Sequence, residues 1–177
     1  ITDQWLKDYK ETGTQNIKLL YVGRIRKEKG IYSLLEIIKD SNINFSLSIV
    51  GAEKNSANLI VQDNVYTHEV ENNQKNLIKY YDDHNIFVLP SYTEGHPMAL
   101  LEALARQRPV IIFKEIEHVI GDKKGIFVAE RNSDNFFKII KHIKENYSGI
   151  QQEMKKNKLP TKDAFLKRFS ELISKLD

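Results

Sequence analysis

Two short stretches of this 177-residue chain carry side chains that could do chemistry together. The first is Gly23-Arg24-Ile25-Arg26-Lys27-Glu28-Lys29-Gly30, with four cations within six residues. It lies between an apolar run and a helical one. Free N–H groups at a helix start already favour anions, so added cations there destabilise the helix unless an anion offsets them. A phosphate or diphosphate would do so. The second stretch runs from Ser91 through Thr93-Glu94-Gly95-His96-Pro97-Met98-Ala99-Leu100-Leu101-Glu102 to Ala105, with seven residues between Glu94 and Glu102. Carboxylates accept hydrogen bonds from vicinal hydroxyls, which phosphates cannot offer. Cations in one loop and acids in the other describe a ligand that is phosphate in one part and polyol in another. A nucleotide-sugar meets that description. The plainer alternatives are solvated charge, with Glu28 pairing some of the cations, and a solvated stripe in which Glu102 pairs with Arg106 at i,i+4.

The elements that must position these loops follow from hydrophobic periodicity. Residues 17–22, 45–50, 64–68, 85–89, 109–113 and 125–129 read as six strands, the fourth ended by Pro90. Ile31, Leu34, Leu35 and Ile38 repeat at helical spacing, giving a helix to about residue 40. Helices are also predicted over 76–83, over 98–105 after Pro97, and over 134–147 with Ser133 or Asp134 as cap. Residues 52–60 are weakly helical and 115–121 a helical turn. Residues 150–176 are Lys-rich and helical, broken at Pro160-Thr161. Trp5-Leu6 and Tyr9 suggest a short helix or tether at the start. Alternating strands and helices imply a doubly wound, parallel six-stranded α/β sheet. In the order 3-2-1-4-5-6, strands one and four are neighbours that flank the switch-point crevice, where ligands sit. The two unusual loops follow those two strands.

Composition narrows the remaining classes. Hydrophobic residues at 41% and charged residues at 29% suit a folded domain of ordinary size. A net charge of +3 with both signs interspersed does not argue for nucleic acid. The absence of cysteine excludes disulfide and thiolate chemistry. No apolar run approaches the ~20 residues that span a bilayer. The five histidines show no metal spacing, and all but His96 are expected on the surface or in packing. Tyr80 and Tyr81 are expected in core and helix face. Neither the P-loop motif nor G-x-G-x-x-G is present.

Gly23-Arg24-x4-Lys29-Gly30, Glu94-Gly95-His96-Pro97-Met98-Ala99-Leu100-Leu101-Glu102-Ala103 and Arg108-Pro109-Val110-Ile111 together resemble the donor-binding half of retaining GT-B glycosyltransferases of the E-x7-E group. The resemblance covers roughly residues 17–145. It implies the C-terminal, Rossmann-like half of a GT-B fold, with no cofactor and no metal. It assigns Gly23, Arg24 and Lys29 to the donor diphosphate and Glu94 to the reacting centre. Gly95, His96, Pro97, Met98 and Ala99 contact sugar or phosphate, and Glu102 holds the ribose hydroxyls. The donor is a UDP-, GDP- or ADP-sugar; the acceptor is a glycan or lipid-linked hydroxyl, in polysaccharide or glycolipid synthesis. The family's N-terminal domain, with the acceptor site, is missing, so the fragment alone is expected to be nearly inactive. Two departures concern the acceptor side and sugar specificity. Residues 113–118 lack a usual Gly-Gly and Pro-Glu, and Gln107-Arg108 replaces a common Cys-Gly.

On this reading residues 1–16 form an interdomain segment, 17–147 the nucleotide-sugar domain and 148–177 C-terminal helices. The expected location is cytoplasmic, with a possible peripheral contact at the inner face of a membrane through Lys155, Lys156, Lys158, Lys162 and Lys167. A solvated helix face is the favoured reading of those lysines, and the last helix often packs back on the absent domain in the family. The alternative functions are a non-catalytic nucleotide- or phosphate-binding module, or half of a GT-B phosphorylase or epimerase.

Overall fold

A computed structural model of the chain describes residues 1–10, 13–39, 41, 43–53 and 62–173. The predicted helical stretch 52–60 lies almost wholly outside the described residues. A 3-10 turn, Asp3–Leu6, opens the chain, followed by β1 (Ile17–Val22), a 3-10 turn at Lys27–Lys29 and α1 (Ile31–Ile38). Then come β2 (Phe45–Ala52), β3 (Val65–Glu69), α2 (Gln74–Asp83), β4 (Ile86–Leu89) and α3 (Met98–Ala105). After them stand β5 (Val110–Phe113), a 3-10 segment at Lys114–Val119 and β6 (Ile126–Ala129). Three helices close the described chain: α4 (Ser133–Glu145), α5 (Tyr147–Met154) and α6 (Lys162–Ile173).

All six strands pair in parallel in the order β3-β2-β1-β4-β5-β6. The doubly wound α/β sheet expected from the sequence is therefore the fold. β1 sits between β2, in the register Ile17↔Phe45, and β4, in the register Leu19↔Ile86. Two buried layers cover the two faces. Leu19 and Tyr21 of β1 pack with Leu34 and Ile38 of α1 and Phe136 and Ile140 of α4. Leu20 faces the other way, with Tyr81, Leu100, Leu104, Trp5 and Met154. Successive residues of β1 point to opposite faces, and both faces are apolar, as a parallel sheet requires.

Local differences from the predicted elements have plain causes. The cap of α4 is Asn132, whose side chain accepts from the Asn135 N–H, so the helix starts at Ser133. Asn85 lies just outside β4, because its side-chain amide is spent on the backbone below. It accepts from the Lys18 N–H at 2.8 Å and donates to the carbonyls of Asn16 and Gly13. Trp5 is buried at 4% exposure, so the opening segment is seated on the domain.

His84 gives the fold a pH dependence. Its Nδ1 lies 2.6 Å from the Tyr80 carbonyl, which only accepts, so Nδ1 carries the proton and Nε2 accepts from the Ser48 hydroxyl at 2.8 Å. Burial, with smaller contributions from Lys18 and His68, pushes its pKa below the usual 6.5; the Tyr80 carbonyl and Asp83 oppose this. A histidine whose folded pKa is depressed adds stability above its unfolded pKa, and loses it as pH falls through the folded value. The thermal midpoint is therefore expected to fall between pH 7.5 and 5. His84→Gln should flatten that slope, as read by calorimetry across the range. An unchanged slope would refute the assignment.

Candidate active site

The loops after β1 and β4 meet. Lys29 Nζ donates to Glu94 Oε1 at 2.7 Å, and the Ser91 hydroxyl donates to the same oxygen at 2.7 Å. Glu94 is largely buried, its side chain 11% exposed, whereas Lys29 keeps 33%. Backbone contacts join the loops independently. The Tyr92 N–H donates to the Glu28 carbonyl at 3.0 Å, and Gly30 lies against Pro90. The cleft between them, about 200 Å³, is lined by Tyr21, Val22, Gly23, Lys29, Leu89, Glu94 and residues 96–99.

Seven of the ten sequence-predicted site residues thus share one hollow: Gly23, Lys29, Glu94, His96, Pro97, Met98 and Ala99. Gly95 is exposed and does not line it. Arg24 does not line it either; its side chain is exposed, and its carbonyl accepts from the Tyr21 hydroxyl at 2.8 Å. Glu102 stands one turn into α3. Its Oε2 accepts from the Tyr81 hydroxyl at 2.8 Å, and that hydroxyl lies 3.3 Å from the Ala99 carbonyl at the cleft wall.

The i,i+4 pairing of Glu102 with Arg106, the plainer alternative to a ligand role, does not occur. Arg106 is 1% exposed and turned away from the cleft, its Nε and Nη2 in a two-pronged contact with Asp82 at 2.9 and 2.8 Å. Arg106 is the C-cap of α3, and its guanidinium also donates to the carbonyls of Trp5, Lys7 and Asp8 in the opening segment. Glu102 is half-buried. Burial pushes its carboxyl pKa up, opposed by the Tyr81 hydrogen bond and more weakly by the chain's N-terminal charge.

The helix starts that follow the two loops carry no side-chain cap, and the first turn of α3 lines the cleft. α1 begins at Gly30 and α3 at Pro97, neither of which offers a side-chain acceptor, while α2 and α4 are capped by Asn73 and Asn132. First-turn N–H groups left without side-chain partners beside a lysine suit an anion. A larger hollow of about 820 Å³ lies by Gly125, Phe127, His142 and Tyr147. It sits at the amino ends of the strands, beside the start of α5, which also has no side-chain cap, so its position in the sheet and not its capping sets it apart. The crevice beyond the carboxyl ends is where open α/β sheets bind ligands.

Three residues that the sequence did not single out shape the site. The Arg131 guanidinium lies over the Tyr92 and Phe113 rings and donates to the Pro90 carbonyl at 3.0 Å. It also forks onto Glu115 at 2.8 and 3.2 Å. His118 Nε2 donates to the Glu94 carbonyl at 2.8 Å. Tyr81 holds Glu102. Arg131 and His118 stand alone in sequence, with no motif or spacing to mark them. Tyr81 was marked only as a core residue, which it is at 0% exposure.

The fold is that of a doubly wound, Rossmann-like domain matching the C-terminal half of GT-B glycosyltransferases. The chain belongs to the glycosyl transferases group 1, whose family model matches residues 3–159. CapM of Staphylococcus aureus, a capsular polysaccharide biosynthesis glycosyltransferase, is 28% identical over 134 residues, covering 70% of this chain and 35% of its own length. TuaC of Bacillus subtilis, named for teichuronic acid biosynthesis, is 38% identical over 92 residues, 52% of this chain and 23% of its own. The chain therefore spans well under half the length of these relatives. Among solved structures, sucrose-phosphate synthase from Thermosynechococcus elongatus matches with a TM-score of 0.77 at 18% identity, over 99% of this chain and 51% of that one. The C-terminal domain of a group 1 family protein (LpcC) from Francisella tularensis matches at 0.64 and 18% identity, over 89% and 93%. No helix among the described residues is long and apolar enough to cross a membrane.

Proposed function

We propose that this chain is the donor-binding domain of a retaining glycosyltransferase. It binds a nucleotide-sugar for transfer to an acceptor hydroxyl in polysaccharide or glycolipid synthesis. The observation that carries the reading is the 2.7 Å contact between Lys29 and Glu94, which puts a cation and an acid in one cleft between two uncapped helix starts. In the transfer, the bond between the anomeric carbon and the diphosphate oxygen breaks, and its electron pair leaves with the diphosphate. Lys29 and the N–H groups near Gly23 and residues 96–99 receive that charge, and the exposed Arg24 side chain, which lies outside the cleft in the free chain, swings in to join them. Glu94 faces the positive charge that develops at the anomeric carbon. The acceptor oxygen bonds to the same face, and its proton passes to the departing phosphate oxygen. Glu102 accepts from the ribose hydroxyls. No metal or cofactor enters this scheme, because lysine and arginine meet the diphosphate.

Residues 1–16 are then the interdomain segment, 17–147 the donor domain and 148–177 the closing helices. A further domain supplies the acceptor site. The cleft of about 200 Å³ is smaller than the ~300–1,000 Å³ of ordinary ligand pockets, which suits a site completed by a second wall. The setting is the cytoplasmic side of a polysaccharide-building membrane.

Titrating UDP, GDP and ADP into the isotope-labelled chain tests this. Amide shifts are expected at residues 23–30 and 94–102, with micromolar to millimolar affinity. Lys29→Met should weaken the diphosphate about tenfold, equivalent to about 1.4 kcal/mol, and leave the bare nucleoside unaffected. Shifts confined to the hollow near Phe127 and His142, or binding by none of the three, would overturn the proposal.

A further inference from the structure

Tyr81 is fully buried, yet its hydroxyl serves a carboxylate. A phenol has one hydrogen to give, and the closer, charged acceptor is Glu102 Oε2 at 2.8 Å, against 3.3 Å for the Ala99 carbonyl. The ring is fixed on several sides. Trp5 meets it edge-on at 5.4 Å, and Phe87 lies at 5.5 Å. The Tyr81 carbonyl accepts from Arg108 Nε at 2.8 Å. Glu102 Oε1 makes no hydrogen bond among the described residues, and Oε2 retains a second lone pair. A carboxylate held by one oxygen in this way presents a set direction to incoming hydroxyls.

We propose that Tyr81 is a positioning residue for diol binding. It fixes Glu102 through Oε2 so that the remaining lone pairs accept the two vicinal hydroxyls of a ribose, and the Trp5 ring braces it. This rests on the reading of Glu102 as the ribose acceptor. It also extends the donor site by two layers, from Glu102 to α2 and from α2 to the segment that precedes β1. That segment is otherwise remote in sequence from the cleft. A residue acting this way sets preference for the ribose without touching base, phosphate or sugar.

Calorimetry on the 177-residue chain distinguishes the possibilities. The probes are whichever of UDP, GDP and ADP binds most tightly, and its 2′,3′-dideoxy counterpart. The wild-type chain should prefer the ribonucleotide by about tenfold, as for hydrogen bonds to a charged group. Tyr81→Phe keeps the ring and its packing. It should cut the preference to about twofold while the dideoxy affinity stays unchanged. Glu102→Gln should reduce the preference similarly, and the double variant should lose little more, since the two side chains act as one unit. Trp5→Phe, which withdraws the edge-on indole while keeping a ring in the buried layer, should give a partial loss; it also serves as the test should Tyr81→Phe fail to fold.

Full preference retained in Tyr81→Phe while Glu102→Gln loses it overturns the proposal and leaves the Glu102 reading standing. An equal loss for both nucleotides in Tyr81→Phe assigns Tyr81 to packing alone and also overturns it. A wild-type chain that does not discriminate, a Glu102→Gln chain that still does, or no binding at all refutes the ribose reading and the proposal with it.

Discussion

Gly30→Ala is expected to destabilise the domain by more than about 3 kcal/mol, placing it in the tail of single-substitution effects. Two costs combine. Gly30 has φ +67°, ψ +12°, a left-handed conformation that costs an L-residue about 1–2 kcal/mol. A Cβ there would also stand 1.9 Å from the Pro90 carbonyl oxygen and 2.8 Å from its carbon. That neighbour is backbone, so relief requires the end of β4 and the start of α1 to part. The same separation would pull Lys29 from Glu94. At roughly 2–4 °C per kcal/mol for a domain of this size, the thermal midpoint should drop by about 10 °C. Gly121→Ala is the matched control. Gly121 is also left-handed, at φ +58°, but its Cβ would meet only the Lys123 ammonium at 3.3 Å, the mobile end of a long side chain. It should cost the backbone term alone. Equal midpoints for the two variants would show that the Pro90 contact contributes nothing.

The second large effect belongs to Asp82. Two arginines, each 1% exposed, share this one carboxylate: Arg106 by two bonds at 2.9 and 2.8 Å, Arg108 by a longer contact at 3.4 Å. Arg106 also donates to the carbonyls of Trp5, Lys7 and Asp8 in the opening segment, and Arg108 to those of Lys10 there and of Tyr81 and Asp82 in α2. Removing one partner of a buried ion pair typically costs about 3–5 kcal/mol, because an uncompensated charge remains inside. Asp82→Ala should fall in that range by urea unfolding. It should also release the opening segment, which limited proteolysis ahead of β1 would detect. Asp82→Asn keeps acceptor capacity without charge and should fall between. Wild-type stability in Asp82→Ala would mean that the carbonyls alone hold the two guanidinium groups.

The sheet was legible because it rests on local pattern. Six strand runs, three closed by Gly23, Gly51 or Pro90 and three opened by Asn64, Pro109 or Gly125, could hardly be read otherwise, and the helical spacing of Ile31, Leu34, Leu35 and Ile38 fixed the crossover after β1. The meeting of the two loops was legible because the commonest doubly wound order, 3-2-1-4-5-6, makes β1 and β4 neighbours, and the chain adopts that order. Side-chain partners were not. Arg106 lies four residues after Glu102, and helix geometry alone pairs them; the structure sends it instead to Asp82, twenty-four residues earlier in the chain. Arg131 becomes important only because β6 ends beside β5, which brings it over Phe113 and next to the loop after β4. Such choices depend on three-dimensional competition among acceptors, which no one-dimensional spacing encodes. The cap at Asn132 rather than Ser133 or Asp134 is the same lesson on a smaller scale.

Arg131 also divides the rim of the cleft into mechanically unlike parts. Tyr92 lies under its guanidinium, the Pro90 carbonyl is bonded to it, and Glu115 shares its charge, so the loops after β4 and β5 are tied to one side chain. Glu94 is moored three times over, by Lys29, Ser91 and His118. Gly95 has open space where a side chain would go, and neither it nor Pro97 is tied by a hydrogen bond of its own side chain. Any adjustment to an arriving guest is therefore concentrated in the short span between Glu94 and α3. On the proposed donor-binding reading, the Glu94 carboxylate stays still while the amides beside it close.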